Sequence, residues 1–203
     1  MSLALIDYGA GNLHSVHNAL KAAGAVDVTV TADPEKIRRA DRIVLPGVGA
    51  FAHCMEALSA IDGMIAAMDQ RVRGDGIPFL GICVGMQLLA DAGVEHGTTQ
   101  GLGWINGTVR AIAPAPQLKV PHMGWNDVHP AAGAPLVELG EAYFLHSYHF
   151  DARESADILA TTDHGGPLVA AVGRGNIMGV QFHPEKSQAY GINFLKRFLE
   201  WTP

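Results

Sequence analysis

Two short stretches carry side chains whose types and spacing could do covalent chemistry. The first is Gly81-Ile82-Cys83-Val84-Gly85. A cysteine set between two glycines, after an apolar strand-like run and before a helix-like one, is the thiol version of a nucleophile elbow. A sharp strand-to-helix turn forces its tip residue into a sparsely populated conformation, and glycine flanks make room for it. A helix starting there would favour thiolate through its dipole and offer a free N–H to an oxyanion beside the sulfur. The competing reading is structural, because free cysteine is mostly buried and inert and glycines also close strands for packing reasons alone. Cys54, inside helical "AHCMEAL", has neither glycines nor a turn and reads as a plain core or surface thiol.

The second stretch is His183-Pro184-Glu185. A thiol used for acyl transfer needs a base, and that base needs to be held. Proline fixes its own φ and pushes His183 into an extended conformation. Residues two apart then project to one side, which sets imidazole beside carboxylate. The alternative is a loop-entry His-Pro with a solvated glutamate. Ten histidines compete for the role of base. His146-x-x-His149 looks like a metal pair, but an odd separation in a strand sends the side chains to opposite faces. No H-E-x-x-H or paired C-x-x-C occurs, so neither a metal site nor a cofactor is expected. In "LPGVGAF", Gly47 and Gly49 leave the peptide around Val48 free to turn an N–H into a neighbouring pocket, or simply form a tight turn. "DYGAGNLHS" has Gly9 and Gly11 but His14 where a dinucleotide fingerprint needs its third glycine.

Positioning these groups falls to alternating elements in the first half. "LALID" (3–7), "DVTVTA", "RIVLP" and "FLGIC" read as strands. Leu13, Val16, Leu20 and Ala23 mark a helix stopped by Gly24, "PEKIRRA" a short helix opened by Pro34, and 52–72 helical material punctuated by Gly63. That alternation predicts a parallel sheet covered on both faces, with ligand-binding loops at the carboxyl ends of its strands. The second half changes character. Residues 101–116 are turn-rich, "YFLHSYHF" and "DILATT" read as strands, and "PLVAAVGRGNIMGVQF" as a hairpin turning at 173–176. A last helix puts Ile192, Leu195, Phe198 and Leu199 on one face, and "APAPQ" (113–117) reads as a surface loop.

Bulk properties restrict the function classes. With 203 residues, 48% of them hydrophobic and 17% charged, the chain can bury one sizeable core, and one domain over residues 1–203 is expected. A net charge of -6 without basic runs argues against nucleic acid and anionic membranes. No apolar run approaches the ~20 residues of a membrane span. Two cysteines make no disulfide framework, and the start of the chain is no signal peptide, so a cytoplasmic enzyme is expected.

Together, the cysteine elbow, His183-Pro184-Glu185 and "LPGVGAF" resemble the class I (triad) glutamine amidotransferases. "IDYGAGNLHSV", "VPHMGWN", "HSYHF" and "GVQFHPEKS", in order from residue 6 to residue 187, closely resemble the glutaminase subunits of imidazole glycerol phosphate synthases. The resemblance implies a flavodoxin-like α/β fold: a mainly parallel twisted sheet with helices on both faces plus an antiparallel strand and hairpin extension. It implies hydrolysis of glutamine to glutamate and ammonia, with Cys83 as nucleophile, His183 shuttling the proton and Glu185 orienting it. It places the oxyanion in the amides of Val84 and of Val48 or Gly49. Gln87 and backbone groups of Gly49, Ser147 and Tyr148 would hold the glutamine. Ammonia would pass into a (β/α)8-barrel cyclase subunit of a heterodimer in histidine biosynthesis. By itself, 122–126 reads as a turn with Trp125 half buried. In the resemblance it faces the barrel, with His122, Trp125, Asn126 and Lys186 at the interface. An isolated chain of this kind is expected to be a poor glutaminase, with the Val48 peptide misdirected until the cyclase binds its ligand. Two other readings stay open on the residues alone: a free-standing cysteine hydrolase with the same triad, and a flavodoxin-like binding protein with a structural cysteine.

Overall fold

A strand covered on both faces gains nothing from polar alternation, and the centre of this sheet follows that rule. The computed structural model describes residues 1–114 and 118–203. In the first half β1 (Ser2–Ile6), β2 (Asp27–Thr31), β3 (Arg42–Gly47) and β4 (Phe79–Cys83) alternate with α1 (Leu13–Ala22), α2 (Pro34–Arg39), α3 (Phe51–Ser59) and α4 (Met64–Asp69), the last running into a π-helical turn (Gln70–Gly74). β3 and β4 are buried at every position, whereas edge strand β2 buries only Thr31. α2 starts where Asp33 accepts from the Glu35 N–H at 2.9 Å and Pro34 fills the first helical position, a pairing that satisfies or removes donors with no partner in the helix.

The second half supplies α5 (Val84–Gln87), β5 (Ala92–Gly93), β6 (Thr99–Gln100), β7 (Gly107–Ala111), β8 (His122–Pro130), β9 (Gly140–His146), β10 (Tyr148–Ala152), β11 (Ile158–Asp163), β12 (Pro167–Arg174), β13 (Ile177–Val180) and α6 (Gln188–Glu200). Nine strands form one sheet in the order β2-β1-β3-β4-β13-β12-β11-β8-β9. From β2 to β13 every pairing is parallel, and from β13 to β9 every pairing is antiparallel. The flavodoxin-like core and its antiparallel extension are therefore both present. β10-β7-β5-β6 make a separate small sheet. α6 buries Phe194, Leu195, Phe198 and Leu199, with Ile192 half buried beside them, and packs on α1.

Three expectations need correction. "YFLHSYHF" is not one strand: it breaks at Ser147, sending β9 to the edge of the large sheet and β10 to the small one. The turn-rich span contains β7, which pairs with β10 and holds Val109 in the core. Residues 122–126 form the start of β8, paired with β9, rather than a turn. Of the "APAPQ" stretch, 115–117 lie outside the described residues. Among the described residues no helix is long and apolar enough to cross a membrane.

Candidate active site

β4 delivers Cys83 and bends sharply there, with φ 55 and ψ -114 at the cysteine. Such a conformation costs a non-glycine residue about 1–3 kcal/mol and persists only where the surroundings enforce it. The enforcement comes from backbone packed on backbone. A Cβ at Gly81 would lie 2.5 Å from the Gly85 oxygen, and one at Gly85 would lie 1.9 Å from the Leu45 oxygen. The helix after the bend is a single turn, α5, so less macrodipole reaches the sulfur than a long helix would bring. Its free N–H groups remain.

β13 lies directly beside β4, in parallel, with Val180 opposite Ile82. The chain leaving β13 therefore emerges next to the elbow. His183 is extended (φ -98, ψ 98), and its Nδ1 lies 2.9 Å from Glu185 Oε1. Both side chains are almost fully enclosed, at 3% and 2% exposure. The sequence expectation of extended alternation is corrected in detail: Glu185 sits in a 3-10 turn (Pro184–Lys186), and the turn folds the carboxylate back onto the ring. Ser187 Oγ donates to the His183 carbonyl at 2.7 Å and accepts from the Tyr143 N–H at 2.9 Å, tying this turn to β9. Burial opposes charge on the His183 ring, but its interactions with Cys83 and Glu185 outweigh that and push it up to about 9.

The third wall is the end of β3, where Gly47 is opposite Cys83 in register. Tyr8 Oη donates to the Pro46 carbonyl at 2.7 Å, and Cys54 Sγ donates to the Val48 carbonyl at 3.3 Å. Cys54 is thus a core thiol that also holds this loop. Gly49 has φ +99 with open space around it. A pocket of about 150 Å3 joins Val48, Gly49, Cys83, Val84, Gln87 and His183, and reaches Ser147, Tyr148 and Lys186 on its far side. The carbonyls of Ser147 and Tyr148 are already taken, by the Ile112 N–H and by Gln87 and His146.

Sequence reasoning missed Glu95 on the pocket wall and Gln181 buried against the cysteine. Glu95 lines the pocket with a carboxylate whose Oε2 also accepts from the Phe51 N–H at 2.9 Å. Gln181, fully buried, donates from Nε2 to the Cys83 sulfur at 3.7 Å and accepts from Gln87 through Oε1 at 2.9 Å. The only signal for Gln181 was its place two residues before His183. Glu95 stands in no motif at all.

The residues assigned to a partner surface divide. Trp125 is 46% exposed on β8, edge-on to Tyr143, and Met123 and Leu145 are exposed on the same pair of strands. Lys186 Nζ stands 5.8 Å over the Tyr143 ring. His122 belongs elsewhere: strand alternation turns it inward, 3% exposed, stacked between Phe144 and His164, so it presents no docking surface. Asn126, half-buried, spends its amide on His122 and the Asp163 carbonyl. His146 and His149 lie on strands of different sheets.

A pocket with a strained cysteine, an imidazole backed by a carboxylate and glycine-flanked amides can form and cleave an acyl-enzyme. Comparison with known proteins agrees with that chemistry. The family profile "Glutamine amidotransferase class-I" matches residues 4–201. The imidazole glycerol phosphate synthase subunit HisH of Zymomonas mobilis is 60% identical over 206 residues, covering 100% of this chain and 97% of the relative. The protein of the same name from Rhodospirillum rubrum is 52% identical over 214 residues, with both chains fully covered. A glutamine amidotransferase crystal structure superposes with a TM-score of 0.76 at 20% identity over 97% of each chain. A glutamine amidotransferase from Thermotoga maritima gives 0.62 at 17% identity, over 98% of this chain and 81% of the other. These last two similarities speak for the fold alone.

Proposed function

The chain belongs to the class-I glutamine amidotransferase family, and from that premise we propose that it is the glutaminase subunit of an imidazole glycerol phosphate synthase in histidine biosynthesis. The observation that carries the chemistry is the meeting of Cys83 and the His183–Glu185 pair in one pocket. In this reading the Cys83 sulfur attacks the side-chain carbonyl of glutamine. The charge that develops on oxygen is taken by the Val84 amide and by an amide of the Val48–Gly49 loop. His183, held by Glu185, gives its proton to the departing nitrogen, and ammonia leaves. Water, deprotonated by the same ring, then opens the thioester and releases glutamate. Gln87, the Ser147–Tyr148 backbone and Glu95 surround the amino-acid end, where the Glu95 carboxylate suits an ammonium group.

The relatives' name describes one part of a synthase, which implies that this chain too works with a second subunit. We take that partner to be a (β/α)8-barrel cyclase, forming a heterodimer in the cytoplasm, and its docking face to be the exposed Met123, Trp125 and Leu145 with Lys186 at the rim. A half-exposed tryptophan beside a pocket mouth suits an interface anchor. Ammonia would pass from one protein to the other without meeting bulk water. The chain alone would hydrolyse glutamine poorly, with the Val48 peptide turned to the oxyanion only when the cyclase holds its ligand.

A diazo-ketone analogue of glutamine tests the reading. It should label Cys83, and glutamine should block the label. Cys83→Ala in the complex should lose glutamine-dependent synthesis and keep synthesis from added ammonium. Labelling that ignores glutamine, or loss of both activities, would refute it.

A further inference from the structure

A line of hydrogen bonds runs from β8 to the thiol, and the chemistry of its members assigns every donor. The Tyr148 carbonyl can only accept, so His146 Nδ1, 2.8 Å away, carries the proton. Burial pushes His146 down to about 3, so the ring is neutral and its Nε2 is an acceptor. His122 Nδ1, 2.9 Å from that nitrogen, therefore donates, and His122 Nε2 accepts from Asn126 at 3.1 Å. The same Tyr148 carbonyl receives a second bond, from Gln87 Nε2 at 3.0 Å. The other hydrogen on that nitrogen goes to Gln181 Oε1 at 2.9 Å. Gln181 Nε2 is left facing the Cys83 sulfur at 3.7 Å.

We propose that Gln181 is a further residue of the reaction centre, a single amide that locks Gln87 in place and donates to the Cys83 sulfur. The proposal rests on the glutamine-hydrolysis reading above. Three observations carry it. Gln181 is wholly buried, and its backbone N–H is already satisfied by the Ala170 carbonyl, so the sheet has no need of a polar side chain there. Both hydrogens of the Gln87 amide are committed, which leaves its carbonyl oxygen as the pole available to the pocket. An N–H aimed at sulfur is stronger toward thiolate than toward thiol, so it favours the reactive form. No proton moves on Gln181 and no bond to it forms. It holds one group and supports the other.

The test uses the whole chain and iodoacetamide, with modified peptides mapped by mass so that Cys83 is scored apart from Cys54. Gln181→Met keeps the length and removes both contacts. Gln181→Asn keeps an amide one methylene too short to reach both partners. Each variant is first checked for an unchanged far-UV spectrum and a cooperative melt. At pH 7 the labelling of Cys83 should slow about tenfold in both, the worth of one hydrogen bond to a charged group, and the deficit should close at high pH, where the thiol ionises unaided. A purely structural role would not move that pH profile. The glutamine concentration that halves labelling should rise about tenfold in Gln181→Met, as the freed Gln87 loses its orientation. Wild-type labelling at pH 7 in either folded variant, or unchanged glutamine protection in Gln181→Met, overturns the proposal. If glutamine failed to protect even the unaltered chain while both variants still labelled slowly, the glutamine reading would fall and the thiol contact would stand.

Discussion

Replacing Gly85 with alanine should do more damage than one methyl group ordinarily does. A Cβ there would stand 1.9 Å from the Leu45 carbonyl oxygen and 2.9 Å from its carbon, where ordinary contact begins at 3.4 Å. The start of α5 and the end of β3 must then part by about 1.5 Å, and both are backbone, with no side chain able to swing aside. Overpacking of this kind costs about 1–3 kcal/mol, occasionally more. In a chain of this size each kcal/mol moves the melting temperature by about 2–4 °C, so a fall of about 2–12 °C is expected. The movement also separates Cys83 from the Val48–Gly49 loop, and misplacement by about 1 Å costs on the order of a hundredfold in rate. Gly74→Ala is the matched control. Its Cβ meets only the Asp69 oxygen, at 4.0 Å, and the change should be neutral or stabilise by up to about 1 kcal/mol. Thermal melts and glutamine turnover in the complex read both outcomes. Were Gly85→Ala to melt within about 1 °C of the unaltered chain with full turnover, the idea that this close approach shapes the elbow would be wrong.

The buried histidines set the acid limit. Burial, with His164 nearby, holds His122 down at about 4, and burial holds His146 at about 3. The unfolded rings take up protons near pH 6.5, before the folded ones do, so their contribution to stability is complete above pH 6.5 and is lost as pH falls toward 4. The urea midpoint should slide downward between pH 6.5 and 4.5, and His122→Phe should flatten that slope; a midpoint indifferent to pH would contradict the assignment. Trp125→Ala should weaken binding of the second subunit proposed above by about thirtyfold, a hot-spot loss, and leave the melting temperature of the chain nearly unchanged. Calorimetric titration giving equal affinities would move the interface elsewhere.

The elbow is legible in sequence because its physics is local: two glycines, a cysteine and the change from strand to helix lie within a few residues. His183 and Glu185 are legible for the same reason, although a 3-10 turn rather than an extended segment brings them together. Parallel strands β1, β3 and β4 are legible as apolar runs. What the pattern could not say is which sheet a strand joins. "YFLHSYHF" looks continuous, yet a break at Ser147 shares it between two sheets and makes that break part of the pocket. Once β8 is known to be a strand, alternation alone sends His122 inward and Trp125 outward, but the glycine at 124 disguises it as a turn. Glu95 was invisible, and Gln181 was marked only by its place near His183, because their partners lie 44 and 98 residues away and no short-range spacing encodes such contacts.

The position of β13 between β4 and β12 has a consequence for the order of events in the cell. A ribosome releases the cysteine long before the strand that must slot in beside it. Until that late strand arrives, the growing polypeptide holds a sulfur with no imidazole at hand, and the gap in its sheet stays open. Fragments that stop before residue 183 therefore carry the elbow without the His183–Glu185 pair.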